Sequence, residues 1–319
     1  MPKSKRPRIH RAVSREIDPT EFRRQTSPKV ARSFAGRILP ECSPSWDALQ
    51  RHLDVQKEPE SQFVAAGHAT ADAWHATYGT HVSRAIMQRN GAEFMPEVVI
   101  GNDDRVRIHN TLDYPYSAIC SLEITSRTGR RFVGTGWLVS DNTVVTAGHC
   151  VYMPEQGGWA RRIRVYPGRN GLSARQSSRA THLHSVEGWT KDRRAAADYG
   201  AIRLQNCITT SGSFGYLALE NNDLQNNLYH VVGYSADKPQ GTLWGHVRPL
   251  DRVEEDVLYY ETDTYGGNSG CPVFFVDEDN PRAIYAVGIH NYGDASGNSA
   301  TRISAEVFDN ISDWRNASL

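Results

Sequence analysis

Three short stretches carry side chains whose types could perform acyl transfer. In Thr262-Asp263-Thr264-Tyr265-Gly266-Gly267-Asn268-Ser269-Gly270-Cys271-Pro272, a serine has glycines on both sides. The backbone there can turn sharply and aim successive N–H groups into one pocket, as stabilising the charge that develops on a carbonyl oxygen requires. Gly267 and Ser269 are the candidate donors. A serine hydroxyl is a weak nucleophile until a base takes its proton. Val144-Val145-Thr146-Ala147-Gly148-His149-Cys150 offers that base: an apolar strand ending on His149. Between the two stretches, Ala197-Asp198-Tyr199-Gly200-Ala201-Ile202 places a lone carboxylate, Asp198, ahead of another apolar run. Asp198 could accept the second imidazole N–H and fix the tautomer. Taken singly, these are a turn, a core or surface histidine and a cap. Together, in the order His, Asp, Ser and at domain-scale separations, they are hard to obtain by accident.

The elements that must position these residues read as β-structure. From Val98 onward, short runs of Val, Ile, Tyr, Thr and Trp alternate with Gly, Asn, Asp and Pro. Strands are expected over Ile119 to Ile124, Gly136 to Val139, Thr143 to Thr146, Ile163 to Tyr166 and Ala201 to Leu204. Others are expected over Tyr229 to Gly233, Gly241 to His246, Val257 to Glu261, Val273 to Val276 and Ala283 to Ile289. Such a set fits an all-β protein of two packed antiparallel barrels, with the site in the seam. The first barrel is expected over residues 98–210 and the second over 211–319, with a crossing near Gln205 to Gly215. Ser304 is a candidate cap for a final helix bearing Val307, Phe308, Ile311 and Trp314 on one face.

Ahead of Val98 the texture differs. Up to about Ser45 the chain is polar and rich in Pro and Arg, which predicts a disordered, solvated tail. Lys3, Lys5, Arg6, Arg8 and Arg11 make it basic, yet no apolar stretch follows them as in a secretory signal. Pro44 to Gln88 reads as partly helical, with Trp46, Leu49 and Leu53 at helical spacing and Ala65 to Met87 rich in Ala. His68, His75 and His81 lie there without the His-x-x-x-His spacing of a helical zinc site.

From about Val98 to the C-terminus the sequence resembles the bacterial glutamyl endopeptidases, chymotrypsin-fold relatives of staphylococcal V8 protease, and the secreted Bacillus-type enzymes in particular. The resemblance rests on Val98-Val99-Ile100-Gly101-Asn102-Asp103-Asp104-Arg105, Tyr114-Pro115-Tyr116, Thr135-Gly136-Trp137, Ala147-Gly148-His149-Cys150, Pro167-Gly168-Arg169-Asn170-Gly171, Asp198 to Ile202, Asp263 to Gly267, Thr301-Arg302-Ile303 and Glu306 to Asn310. It implies a serine endopeptidase acting on protein or peptide substrates after glutamate, with aspartate as the second choice. It also implies a glutamate pocket built from the histidine of Gly288-Ile289-His290 and from Thr264, five positions before the nucleophile. A buried carboxylate needs such donors. A Lys- or Arg-specific pocket would need an acid at its base, and Asp263 stands one position too early for that.

Because the resemblance begins at Val98, residues 1–97 read as a propeptide, partly disordered and partly helical. Glu97 immediately precedes Val98, so a glutamate-specific enzyme could release its own mature N-terminus. The new Val98 amine is then expected near the pocket. Asn268, not aspartate, precedes the nucleophile, so the ammonium–aspartate bridge that activates digestive trypsins cannot form. The cysteines depart from the relatives. The chain has five: Cys42, Cys120, Cys150, Cys207 and Cys271. In many relatives the cysteine after the histidine bridges to one just before Thr-Gly-Trp, a place held here by Gly134. Pairing of Cys150 with Cys120 or Cys207 stays open.

The 319 residues carry 36 basic and 36 acidic side chains, so no net charge points to nucleic acid. No apolar run approaches the ~18 residues of a membrane span. The chemistry calls for no metal or organic cofactor, and a monomer is expected. Secretion follows from the resemblance, with no visible signal segment. A non-catalytic, toxin-like double-barrel module would not need the full set His149, Asp198, Ser269 and Gly267. An α/β-hydrolase elbow would need glycine where Cys271 stands. Within the protease class, the alternative is a different residue preference.

Overall fold

The computed structural model describes residues 8–22, 87–89, 92–94, 103–210, 212–225, 227–276, 284–294 and 297–317. Trp46, Leu49, Leu53, the three histidines of the Ala-rich region, Cys42, Glu97 and Val98 lie outside the described residues. Of the stretch expected to be helical, Met87–Arg89 is a strand, paired antiparallel with Ala92–Phe94.

The β-rich chain from residue 103 forms two units. In the first, Ser178–Val186, Arg162–Pro167, Ile119–Thr125, Arg131–Ser140, Thr143–Thr146 and Gly200–Leu204 pair in succession, and Gly200–Leu204 returns to Ser178–Val186, closing a barrel. Closure leaves alternate side chains no choice but the interior. Leu122, Ile124, Ile163 and Val165 are buried together on one face of the barrel wall, and Ile119, Trp137 and Val145 on the other. In the second unit a sheet runs Arg252–Val253, Val257–Tyr260, Gly297–Arg302, Ile284–Asp294, Pro272–Val276, Tyr229–Gly233, Leu243–Arg248, Val106–Ile108. One buried cluster extends from Ile119 and Trp137 to Phe274 and Ile289, so the two units share a core.

Each unit also lends a segment to the other. Val106–Ile108 precedes the barrel in the chain but joins the second sheet by pairing with Leu243–Arg248. The C-terminal helix, Ala305–Asn316, is capped by Ser304, whose Oγ accepts from the Val307 N–H at 3.5 Å. It buries Val307, Ile311 and Trp314, as its periodicity predicts, together with Asn310. Trp314 stacks at 5.8 Å on His184 of the barrel. Arg203 donates to the carbonyls of Trp314 and Ala317 at 2.9 and 2.5 Å, satisfying acceptors that a helix end leaves open.

The N-terminal segment departs from the sequence expectation of a disordered tail. Ala12–Glu16 is a strand, antiparallel to Ser178–Val186, and Ile17 after it is buried. Propensity gave little sign of this, because Ala-Val-Ser-Arg-Glu has one β-branched residue and its order comes from the edge it joins. Ser178–Val186 itself, Ser-Arg-Ala-Thr-His-Leu-His-Ser-Val, was not among the expected strands. Its histidines mask the alternation that a half-buried strand shows.

Candidate active site

His149 lies in the single turn Gly148–Val151 that follows Thr143–Thr146, and it is fully buried. Asp198 comes from the loop before Gly200–Leu204, the strand paired with Thr143–Thr146, so barrel pairing brings the two together. One carboxylate oxygen of Asp198 accepts the His149 backbone N–H at 2.7 Å, and the other accepts Nδ1–H at 2.7 Å. A carboxylate only accepts, so Nδ1 carries a proton, and in the neutral ring Nε2 is the nitrogen that keeps its lone pair. Gly148 makes this approach possible. A Cβ there would stand 2.8 Å from Asp198 Oδ1 and 2.9 Å from the Trp189 ring. Burial disfavours the imidazolium, but the Asp198 charge outweighs it and holds the His149 pKa well above the usual histidine range.

Ser269 is fully buried in the turn between Val257–Tyr260 and Pro272–Val276. Its carbonyl accepts the Thr135 N–H at 2.9 Å and faces the Cys150 thiol at 3.6 Å, one residue from His149. Thr135 Oγ1 also donates to the Gly267 carbonyl at 2.7 Å, so a barrel strand grips the serine loop of the other unit. Gly267 has φ +100°, which L side chains rarely adopt. In a trans peptide the N–H points opposite the carbonyl before it. The Gly266 carbonyl is taken by Ala236 N–H at 2.6 Å and that of Asn268 by Cys271 N–H at 2.8 Å. These bonds fix the directions of the Gly267 and Ser269 N–H groups. Asn268, buried, accepts from Ser235 Oγ at 3.0 Å.

His290, on the strand Ile284–Asp294, is buried and shares a 2.5 Å hydrogen bond between Nδ1 and the Tyr260 hydroxyl. Its backbone is locked to the serine loop: Gly270 N–H donates to the His290 carbonyl at 2.7 Å, and His290 N–H to that of Cys271 at 3.0 Å. Thr264 is fully buried, and its hydroxyl has no hydrogen-bond partner among the described residues. The Asp263 carboxylate accepts the Asp104 N–H at 2.8 Å, and its own N–H donates to His246 Nδ1 at 2.9 Å.

Two residues that the sequence reading did not single out join the site. Tyr292 donates its hydroxyl to the same Asp198 oxygen that receives His149 Nδ1. Asn291 Nδ2 donates to the Asp198 carbonyl at 2.8 Å and to Thr301 Oγ1 at 2.7 Å. Neighbouring strand residues point to opposite faces, so both could not reach Asp198 from a regular strand. Ile284–Asp294 has a register shift between His290 and Tyr292, a bulge that re-aims them. The only sequence signal was a run of polar residues, His-Asn-Tyr, ending an otherwise apolar strand.

The cysteines answer the open pairing. Cys120, Cys150, Cys207 and Cys271 are all free thiols. A Cβ placed on Gly134 would lie 2.8 Å from Cys150 Sγ, so a cysteine at position 134 would face Cys150 directly.

A closed barrel and a second sheet, with a buried Asp–His pair and a serine loop gripped across their seam, define a trypsin-like peptidase. Residues 134–289 match the trypsin-like peptidase domain. The chain is 40% identical over 235 residues to a glutamyl endopeptidase of Bacillus licheniformis, covering 71% of this chain and 72% of that protein. It is 37% identical over 264 residues to a Bacillus subtilis protein named extracellular metalloprotease, covering 82% of each. The solved structure of a Glu endopeptidase in complex with MPD superposes with a TM-score of 0.61 at 28% identity, covering 69% of this chain and all of that one. The chain belongs to the V8-like glutamyl endopeptidase family of chymotrypsin-fold serine proteases and is a serine endopeptidase. Among its described residues, no three His, Cys, Asp or Glu side chains gather as a metal site would need. The likeness to the B. subtilis protein covers more of the chain than the part from Val98 onward can supply, which corrects the expectation that residues 1–97 take no part.

Proposed function

We propose that this endopeptidase cleaves peptide bonds after glutamate, using Ser269, His149 and Asp198. His149 Nε2 takes the Ser269 proton as Oγ attacks the scissile carbonyl carbon. The tetrahedral oxyanion is stabilised by the N–H groups of Gly267 and Ser269. Collapse breaks the C–N bond, and His149 passes its proton to the leaving amine. Water then hydrolyses the acyl-enzyme by the same base and donors. Asp198 holds the tautomer and balances the imidazolium.

Glutamate preference is carried by one observation: the buried Thr264 hydroxyl has no partner among the described residues, and it shares the serine loop with the backbone anchor of buried His290. A hydroxyl and an imidazole N–H together supply the donors that a desolvated carboxylate requires. Asp263 does not suit a Lys or Arg pocket, because it stands one position too early in the serine loop, and its carboxylate accepts the Asp104 N–H. That bond also ties the segment just after Val98 to the residue before Thr264, which supports a Val98 amine adding positive charge near the substrate carboxylate. On this reading residues 1–97 are a propeptide, severed from the catalytic chain at Glu97–Val98, and the enzyme works outside the cell.

The test is a mass-spectrometric digest of a denatured, unrelated protein by the processed enzyme beside its Ser269→Ala variant. Cuts after Glu that the variant lacks are the expected result. Cuts spread over other residues would overturn the glutamate assignment, and equal cutting by the variant would overturn Ser269 as nucleophile.

A further inference from the structure

The barrel strand Ser178–Val186 has an open stretch on one side. Its ladder with Arg162–Pro167 takes up only Ser178 and Arg179, and beyond them the edge is covered by the chain's own N-terminal segment. The register runs from Ala12 opposite Val186 to Glu16 opposite His182. The ladder continues past both ends, with Glu187 N–H donating to the Arg11 carbonyl at 2.8 Å and Ile17 N–H to the Thr181 carbonyl at 2.6 Å. Hydrogen-bonded pairs alternate along an antiparallel ladder, so Val13 and Arg15 take the bonded positions between them.

Side chains fix this segment at several points. Ile17 is 4% exposed and His10 is 3% exposed. His10 Nδ1 lies 3.0 Å from the Tyr199 hydroxyl, and the His10 carbonyl accepts from Asn310 Nδ2 at 2.9 Å. Asn310 Nδ2 also donates to Tyr199 at 2.7 Å, which joins the segment, the C-terminal helix and the residue after Asp198 in one buried network. Ser14 Oγ lies 2.7 Å from His184 Nδ1. Arg8 and Arg11 face Glu187 at 3.7 and 3.5 Å, and Arg8 faces Asp192 at 3.7 Å. Gly188 leaves room for the passing chain, since a Cβ there would come within 2.6 Å of the Ile9 carbonyl oxygen. The barrel thus presents a built groove: an open strand edge, a buried hydroxyl and amide at one end, an acidic pair beside two arginines, and an apolar seat for Ile17.

We propose that residues 8–17 are a permanent strand of the enzyme, held non-covalently in this groove after the chain is cut anywhere between residues 22 and 103. An edge strand supplied by a separate segment is a recurring mode of peptide capture, in which the main chain gives affinity and side-chain seats give specificity. The occupant is this chain's own N-terminus, so processing of the precursor yields a two-piece enzyme. The proposal does not depend on glutamate specificity or on the exact position of the cut.

The test uses the full-length Ser269→Ala chain, which cannot process itself on the reading above. It carries an affinity tag ahead of Met1 and a recognition site for an unrelated protease inserted after residue 40. After cleavage is complete on a denaturing gel, the tag is expected to capture the large fragment in native buffer at equal stoichiometry and to lose it in denaturant. Recovery of less than a tenth of the large fragment in native buffer overturns the proposal. Adding Arg15→Pro and Ile17→Asp should release the fragment, and undiminished capture from that variant overturns the assigned groove. Hydrogen exchange on the uncut chain needs no cleavage. The amides of Val13, Arg15 and Ile17 should exchange at least a hundredfold more slowly than free chain, and exchange at the free rate overturns the proposal.

Discussion

At the scale of single residues, Asp198 carries more hydrogen bonds than the pairing with the His149 ring alone. It receives the His149 backbone N–H, His149 Nδ1–H and the Tyr292 hydroxyl, while its carbonyl receives Asn291. As the proposed base His149 acts only when neutral, and its pKa is raised by Asp198. The acid limb of kcat/KM should therefore lie above the ordinary histidine pKa of about 6.5. Asp198→Asn removes the charge that raises it, so the limb should move to lower pH while kcat falls by about 10⁴. Tyr292→Phe has the opposite sign. The carboxylate loses a donor, binds the imidazolium more strongly and moves the limb to higher pH. Losing a hydrogen bond to a charged group, worth about 1.5–3 kcal/mol, should lower kcat roughly ten- to hundredfold. pH–rate profiles of the two variants beside the parent distinguish these signs. In the proposed pocket, Thr264→Val and His290→Gln should each raise KM for Glu peptides by about 10²-fold, with a much smaller effect on peptides bearing Ala at the same position. Equal losses on both peptides would remove these residues from specificity.

At the scale of elements, two packing arrangements lead to measurable stability. Gly134 on the strand Arg131–Ser140 faces Cys150, and its Cβ position lies within bonding reach of the thiol. Gly134→Cys should form a disulfide closing a short loop, worth roughly 3 kcal/mol. At about 2–4 °C per kcal/mol for a domain of this size, Tm should rise by roughly 6–12 °C, and the gain should vanish in reductant. The strands also bury histidines. Burial holds His184 down to about 4, helped by the nearby charges of His182 and Arg203, and burial alone holds His230 down to about 3. Both folded-state values lie below the unfolded value of about 6.5. The stabilisation is thus complete above pH 6.5 and is lost as pH falls toward the folded values. Denaturation midpoints measured from pH 7 to pH 4 should fall steadily over that window.

At the scale of the whole molecule, the site exists because the two units exchange parts. Thr135 of the barrel grips the serine loop, Asn291 and Tyr292 of the second sheet grip Asp198, and Asn310 of the C-terminal helix links Tyr199 to the N-terminal strand. A change that loosens the seam should therefore reach the chemistry before it unfolds either unit. Thr135→Val keeps the shape but removes both the donor to Gly267 and the acceptor for Tyr234 N–H. It should lower kcat with little change in KM, and a KM effect alone would argue against this coupling.

The sequence alone determined the all-β class and most of the strands, and it offered His149, Asp198 and Ser269 as the candidate triad. These are written in local pattern: apolar alternation for the strands, and residue types that only one chemistry needs in that order. The proposed pocket residues His290 and Thr264 rest on the family resemblance of their surroundings. Tyr292 and Asn291 were not, because their direction depends on a bulge that no local preference encodes. Ala12–Glu16 was not legible either, since a polar segment becomes a strand only where a folded edge offers it partners. The absence of the usual partner at Gly134 was legible, but that Cys150 bonds to neither Cys120 nor Cys207 was decided only by the tertiary structure. Local preference selects the elements, whereas contacts between residues far apart in the chain decide where their side chains point.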